Sequence, residues 1–434
     1  MTIGCDDYAE KSLLLVGTGG SKRRAVLERL RSLGLRKVVC LNHERNWADP
    51  YVDDWILADA VHPGAGGEQA LDRYLALHSD LRLDGIMTYD EYSVVLASHL
   101  ARRSGRIGLA PSVAETVKNK YAFRRACLDR GLPAPAVSLA PLGGSLDASG
   151  ALGLRFPVVM KPVEGASSVF VRKADNAAEL RAAVASYEAS VRDTALAQQW
   201  RDRSLLVEEY LEGDEVDIDM LVQGGEVKYL AITDNFPSVE PHFLENGGQI
   251  PSALPTCAQQ ALGSMANDVV RALSVSDACV HFEAKMTATG PVPIEVNLRL
   301  GGAEVYTFNK EAWGVDLLEG AVRIALGLAV PRVGTGAPLR YLVSAPFNPP
   351  RAGVIRAIRL EPWVEASPDL AELVMFKRPG ERIEVPPRGY EYSGWIVAHG
   401  GTREEAHANV ARLGAGVHVE IEEDPGDRPE EAVR

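Results

Sequence analysis

Between residues 280 and 299 the chain carries its strongest constraint. Val280-His281-Phe282-Glu283 alternates apolar and polar side chains at the period of a β-strand. After the turn residues Thr289-Gly290-Pro291 the alternation resumes in Pro293-Ile294-Glu295-Val296-Asn297-Leu298-Arg299. Two antiparallel strands joined by that turn would set Glu283 beside Glu295 and Asn297 on one face, with Arg299 continuing it. Hard oxygen ligands next to an arginine suit Mg²⁺ bound to phosphate, because Mg²⁺ takes few protein carboxylates and keeps substrate oxygens or waters. Arg299 could then neutralise charge developing on a transferred phosphoryl group. The solvated face of an ordinary hairpin carries the same alternation, so the reading needs partners elsewhere in the chain.

Two upstream stretches are candidates. Lys161 ends an apolar run, FPVVMK, and is followed by Pro162 and the small-residue loop Glu164-Gly165-Ala166-Ser167-Ser168, whose backbone N–H groups could close over a polyphosphate. A surface lysine before a turn would look the same. Further on, Leu205 to Leu211 (LLVEEYL) brings a strand into Glu208 and Glu209, with Glu215 four positions past Leu211. Carboxylates there can accept from a ribose or an adenine amino group while the strand edge pairs with the base; an exposed acidic turn is the plainer alternative.

At the amino end, Leu13 to Val16 reads as a strand ending in Gly17-Thr18-Gly19-Gly20, followed by Ala25, Leu27, Leu30 and Leu33 at helical spacing. Strands at Val38 to Leu41 and Ile86 to Thr88 and a helix from Val94 to Ala101 follow, so a parallel sheet covered by helices is expected. Gly17-x-Gly19, with Glu44 beyond the second strand, invites a dinucleotide reading. The third glycine of that motif falls on Lys22, however, which favours a small-ligand or structural turn over NAD.

One long helix is expected from Ser112 to Arg130, opened by Ser112-Val113-Ala114-Glu115 and closed by Gly131. Residues 141–154 read as a turn region, and 157–225 as a compact lobe with a strand at Val169 to Val171 and a helix from Ala177 to Tyr187. Helices at Gln259 to Ser274 and Leu317 to Leu326 precede a strand-rich ending and a frayed acidic tail from Glu422. The expected divisions are residues 1–112, 113–330 and 331–434.

Of 434 residues, 46% are hydrophobic and 24% charged, with a net charge of −13 and both signs interspersed, so nucleic acid and anionic membranes are not expected partners. Five widely spaced cysteines form neither a disulfide framework nor a zinc motif and imply a reducing, cytoplasmic setting. The opening MTIGCDDYAEKS has no basic-then-apolar pattern, and no run approaches the roughly 18 apolar residues of a membrane span.

Taken in order, Lys120 in VKNKYAFR, Lys161 in FPVVMKP, the loop GASS, EEYLEGDE, HFE, IEVNLRLGG and GVDLLEGAVRIALG resemble the ATP-grasp superfamily over nearly the whole chain. The resemblance implies a mixed α/β and α+β fold. It would comprise an amino-terminal Rossmann-like parallel-sheet domain containing TYDE (Thr88 to Glu91), an ATP-grasp domain with a mobile lid lobe at about residues 140–207, and a carboxy-terminal subdomain with GVIRAI and WIVAHGGTREEA. It further implies that Lys120, Lys161 and Ser168 contact ATP phosphates, Glu208, Glu209 and Leu211 line the adenine pocket, and Glu215 meets the ribose. Glu283, Glu295 and Asn297 would bind two ions, Mg²⁺ or Mn²⁺, and Arg299 would hold an acyl phosphate. The family's glycine-rich loop is altered here, with Ser167 and Phe170 at two glycine positions, which points to a stiffer loop.

Within the superfamily the chain most resembles L-amino acid ligases and carnosine-synthase-like dipeptide formers, on HFEAKMTATGPVPIEVNLRLGG and on the segment from Pro237 to Pro255. The implied activity is ATP-dependent joining of a small carboxylic acid to an amine, with ADP and phosphate released and a homodimer as a common family state. His242, Glu245, Gly301, Gly302 and Glu304 are the candidates for substrate recognition. The alternatives are a carboxylating or formyl-transferring ATP-grasp enzyme of nucleotide metabolism and a non-catalytic ATP-binding regulator.

Overall fold

The computed structural model describes residues 8–140, 153–192 and 195–422. The expected turn at 141–154 lies almost wholly outside these residues, as does the expected tail beyond 422.

The amino-terminal sheet is parallel throughout, in the order Asp54–Leu57, Lys37–Asn42, Ser12–Val16, Gly85–Met87. Its first strand is buried on both faces. Leu14 and Val16 meet Leu71, Leu96 and Leu100 of the covering helices, whereas Leu13 and Leu15 share a cluster with Leu317, Val322 and Ala325 of the much later helix Leu317–Leu326. Arg29 reinforces that junction through Asp316 (2.6 Å) and Glu319 (2.8 Å).

The lobe expected within the 113–330 division is a four-stranded antiparallel sheet, Val137–Ala140, Leu205–Glu209, Val158–Pro162, Arg172–Ala174, backed by the helix Ala177–Ser190. The strand expected at Val169 to Val171 does not form. Ser167, Ser168 and Phe170 take φ of 56°, 53° and 63°, a left-handed backbone incompatible with a strand, and regular pairing starts only at Arg172. Phe170 turns inward and meets Tyr187, Trp200 and Tyr390 at centroid distances of 5.2, 6.3 and 6.2 Å.

The central sheet has eight strands in the order Gly290–Asn297, Ala278–Thr287, Asp214–Gln223, Glu226–Asn235, Gly248–Ile250, Tyr341–Pro346, Gly394–Gly400, Leu370–Met375. The two-residue period sorts its side chains. Ile218, Met220, Val280, Phe282, Val296 and Leu298 pack with Leu262 and Val269 of the helix Thr256–Ala272, so Asp217, Asp219, His281, Glu283, Glu295 and Asn297 face the other way. A three-stranded sheet, Arg382–Ile383, Gly353–Leu360, Val417–Glu422, and the helix Arg403–Gly414 complete the carboxy-terminal part.

The single helix expected from Ser112 to Arg130 is two, Pro111–Lys118 and Lys120–Leu128. Pro111 rather than a Ser112 cap opens the first. Asn119 leaves the helical region (φ −90°, ψ 108°), and its side chain accepts from the Ala122 N–H, capping the second helix. The break places Lys118 and Lys120 at two helix ends, each aimed at a different carboxylate.

Candidate active site

All four sheets contribute to one cavity of about 1460 Å³, larger than the roughly 300–1,000 Å³ of a single small-ligand site. Its floor is the polar face of the hairpin. Glu283 pairs directly with Glu295, and His281 with Asn297, as the alternation anticipates. The neighbouring strand adds Asp219 opposite His281 and Asp217 opposite Glu283. His281 Nδ1 lies 2.8 Å from Asp219, whose other oxygen accepts from Asn309 (3.0 Å). Burial would lower the His281 pKa, but Asp217 and Asp219 outweigh it and hold the imidazole protonated up to about 9.

Carboxylate crowding dominates this face. Burial, and then the charges of Glu295 and Asp217, push Glu283 up to about 8; burial lifts Asp217 to about 6 despite His281. The Asn297 carboxamide lies between the acids, 3.5 Å from Glu283. Turned with its nitrogen inward, it donates to Glu295 (3.1 Å) and Glu91 (2.9 Å). No group of three or more His, Cys, Asp or Glu suited to a metal occurs among the described residues. Two acids and one amide oxygen nevertheless fit Mg²⁺, which leaves the rest of its octahedron to other oxygens.

Five cations are set against acids around this floor. Lys120 reaches Glu295 (3.0 Å) and donates to the Gly165 carbonyl (3.1 Å), tying the small-residue loop to the hairpin. Lys161 is buried against Glu208, which also receives Arg124 Nε at 3.0 Å. Burial depresses the Lys161 ammonium and would raise Glu208, yet Arg124 and Lys161 together hold that carboxyl below its ordinary range. Arg299 Nε donates to Glu91 (2.7 Å) and its Nη1 to the Leu300 carbonyl (3.0 Å). Lys118 meets the other Glu91 oxygen at 2.8 Å. Burial alone would raise Glu91; Lys118 and Arg299 overcome it and hold the carboxyl at about 2.

The other expected residues are distributed unevenly. Glu209 is exposed and Leu211 half-buried at the cavity wall, and Glu215 faces Lys285 at 3.6 Å; Ser168 also lines the cavity. Glu304 accepts from Ser344 Oγ at 2.5 Å and is raised by burial to about 7, while Glu245 is exposed at the rim. His242 does not line the cavity. It packs edge-on to Tyr390 (6.1 Å), with Nδ1 lacking a hydrogen-bond partner among the described residues. Gly302 lines the cavity, whereas Gly301 lies behind it, where a Cβ would come within 2.8 Å of His281 Nδ1. Glu44 is exposed, paired loosely with His43 (3.6 Å) and off the cavity, so the glycine turn has no ribose acceptor there. Sequence reasoning missed Glu91, Lys118, Arg124, Asp217 and Asp219. Glu91 sat inside the quoted TYDE, and Lys118 and Arg124 inside the quoted VKNKYAFR; Asp217 and Asp219 lay outside every quoted motif.

A parallel-sheet domain, a lid-like lobe and a central sheet around one acid- and lysine-lined cleft define an ATP-grasp architecture. Residues 154–307 match the ATP-grasp domain model and residues 346–422 match L-amino acid ligase C-terminal domain 2; the chain thus contains both. Among curated proteins it is homologous to carnosine synthase 1 of Gallus gallus, with 31% identity over 78% of this chain and 37% of the relative, and to that of Homo sapiens, with 29% identity over 73% and 40%. The chain therefore spans about two fifths of these relatives' length. An L-amino acid ligase from Bacillus licheniformis shares the fold, with a TM-score of 0.80 at 22% identity, covering 96% of this chain and all of that one. No helix among the described residues is long and apolar enough to cross a membrane.

Proposed function

We propose that this protein is an ATP-dependent carboxylate–amine ligase that joins an amino acid or another small carboxylic acid to an amine through an acyl phosphate, releasing ADP and phosphate. The observation that carries the reading is the convergence of Lys120, Lys161, Arg299 and the Glu283–Glu295–Asn297 face on one cavity large enough for a nucleotide and two small substrates.

In the first step a carboxylate oxygen of the acid attacks the γ-phosphorus as the bond to the ADP oxygen breaks. In the second the amine nitrogen attacks the acyl carbon, phosphate departs with the C–O electron pair, and the proton lost by the nitrogen ends on the released phosphate. Lys120 and Lys161 bind phosphate oxygens, and their acid partners Glu295 and Glu208 hold them in place without filling the cavity. Glu209 and the backbone at Leu211 receive the adenine, and Glu215 the ribose. Ser168, on the loop tethered through Gly165 to Lys120, covers the phosphates and excludes water. Mg²⁺ or Mn²⁺ held by Glu283, Glu295 and Asn297 would neutralise phosphate oxygens. Arg299, braced by Glu91, stabilises the acyl phosphate with a charge already fixed in place. Glu304 and Glu245 face the amine.

The test is phosphate release from Mg·ATP with amino acids offered singly and in pairs, with mass detection of products and of ADP against AMP. ADP appearing with a new amide is the expected result. AMP, or no release with any acid–amine pair, would refute the reading.

A further inference from the structure

The glycine turn at the amino end, left without a nucleotide partner, delivers one side chain into the cavity. Gly17 and Gly19 have φ of +73° and +58°, and a Cβ on Gly17 would fall 2.3 Å from Ser93 Oγ, so only glycine lets the turn seat against the loop carrying Asp90 and Glu91. The chain then passes through the short helical turn Ser21–Arg23. The Arg23 guanidinium lies over the Tyr89 ring (5.8 Å) and donates to the carbonyls of Gly301 and Leu300, the latter at 3.5 Å.

Arg23 differs from the cavity's other fixed cations in what it faces. Lys120, Lys161, Lys285 and Arg299 each have a carboxylate within 4 Å, whereas neighbouring Lys22, also unpaired among the described residues, is exposed to solvent, which screens its charge. Among the described residues, Arg23 has no carboxylate within that distance. Asp90, the acid near it, is occupied by Ser93 Oγ (3.2 Å) and the Tyr92 N–H (3.5 Å). Burial, and then the positive charge of Arg299, lower the Arg23 pKa to about 10. Carbonyl contacts use some of the five guanidinium donors but leave the charge uncompensated, and a sheltered charge without a counter-ion is costly until an anion arrives. The two guanidiniums meet at the Leu300 carbonyl, which accepts from Arg299 Nη1 at 3.0 Å and from Arg23 at 3.5 Å, and Arg23 also donates to the Gly301 carbonyl.

We propose that Arg23 is the residue that receives the carboxylate of an amine-side substrate that carries one. The inference rests on the ligase reading of this cavity. Arg299 serves the acid being activated, and Arg23 offers a second anion position beside it. An amino acid anchored there by its carboxylate has its nitrogen a few bonds away, on the side of the acyl carbon. The planar fork favours a two-point hold on a carboxylate, which a lysine does not reproduce.

The test is calorimetric binding of the common L-amino acids and of their α-carboxamides to the full chain with Mg·ADP, for wild type, Arg23→Gln and Arg23→Lys. At least one amino acid should bind wild type ten-fold or more tightly than its carboxamide, Arg23→Gln should bind both alike, and Arg23→Lys should fall between. ADP affinity should not change. Each ratio is taken within one variant, so a lower melting temperature does not alter it, and Arg23→Lys suffices if Arg23→Gln does not fold. An unchanged ratio in both variants, or no amino acid bound by wild type, would overturn the assignment. Binding is read without turnover, so a failed amide assay would remove the ligase reading and leave this result standing on its own.

Discussion

Glu91 joins three separated parts of the chain, the loop after the parallel sheet, the end of the helix Pro111–Lys118 and the strand exit at Arg299. Replacing it by Gln would strand two sheltered cations, a change that costs about 3–5 kcal/mol for a broken buried pair. A denaturant midpoint lowered accordingly is expected; an unchanged midpoint would contradict the bracing role. Glu295→Gln should leave the fold largely intact and lower phosphate release by about 100-fold or more, on the scale of removing one transition-state contact; full activity would sink the ion assignment. Glu304 gives a pH signature. Its carboxyl is raised to about 7 in the fold, so its contribution to stability is complete below the unfolded value near 4.5 and is lost as pH climbs through 7. The melting temperature should therefore fall from pH 5 to 8, and the slope should be shallower in Glu304→Gln.

At the scale of elements, the loop at 165–170 is held by its own aromatic anchor. Phe170 packs with Tyr187 and Trp200 inside the lobe, and Phe170→Ala should destabilise that lobe by about 3–5 kcal/mol. Hydrogen exchange should then quicken in Val158–Pro162 and Leu205–Glu209 but not in the central sheet; uniform exchange would argue against an independent lobe. The hairpin was legible because its two-residue period, turn and acids are all local. The helix pair at 111–128 was not, since Asn119 reads as an ordinary helix-surface residue until its capping role is seen. The strand Asp54–Leu57 escaped notice because DWIL is short and opens on a charge. Residues 169–171 were misread as strand because valine and phenylalanine propensity outweighed the left-handed backbone at Phe170, rarely adopted outside glycine. The partners of Lys118, Arg124 and Arg23 come from sequence-distant segments, and composition or spacing gives no means of pairing them.

Across the whole molecule, the amino-terminal sheet does not own both of its faces. Leu13 and Leu15 are covered by the helix Leu317–Leu326, a Cβ on Gly85 would meet the Ala325 carbonyl at 2.7 Å, and Tyr8 donates to Glu319 at 2.9 Å. Residues 1–112 expressed alone should therefore show no sharp thermal transition, and in the full chain the sheet should melt together with the body. A cooperative transition of the fragment followed by circular dichroism would contradict this.

The same covering helix sets a schedule during synthesis. Strands that are complete by Met87 wait for residues near 326 before their second face is shielded. At translation rates of roughly 5–20 residues per second, the wait is on the order of 10–50 s. Throughout it the Leu13 and Leu15 surface has no later part of the chain to cover it, and the half-made sheet leaves apolar surface open beside the ribosome.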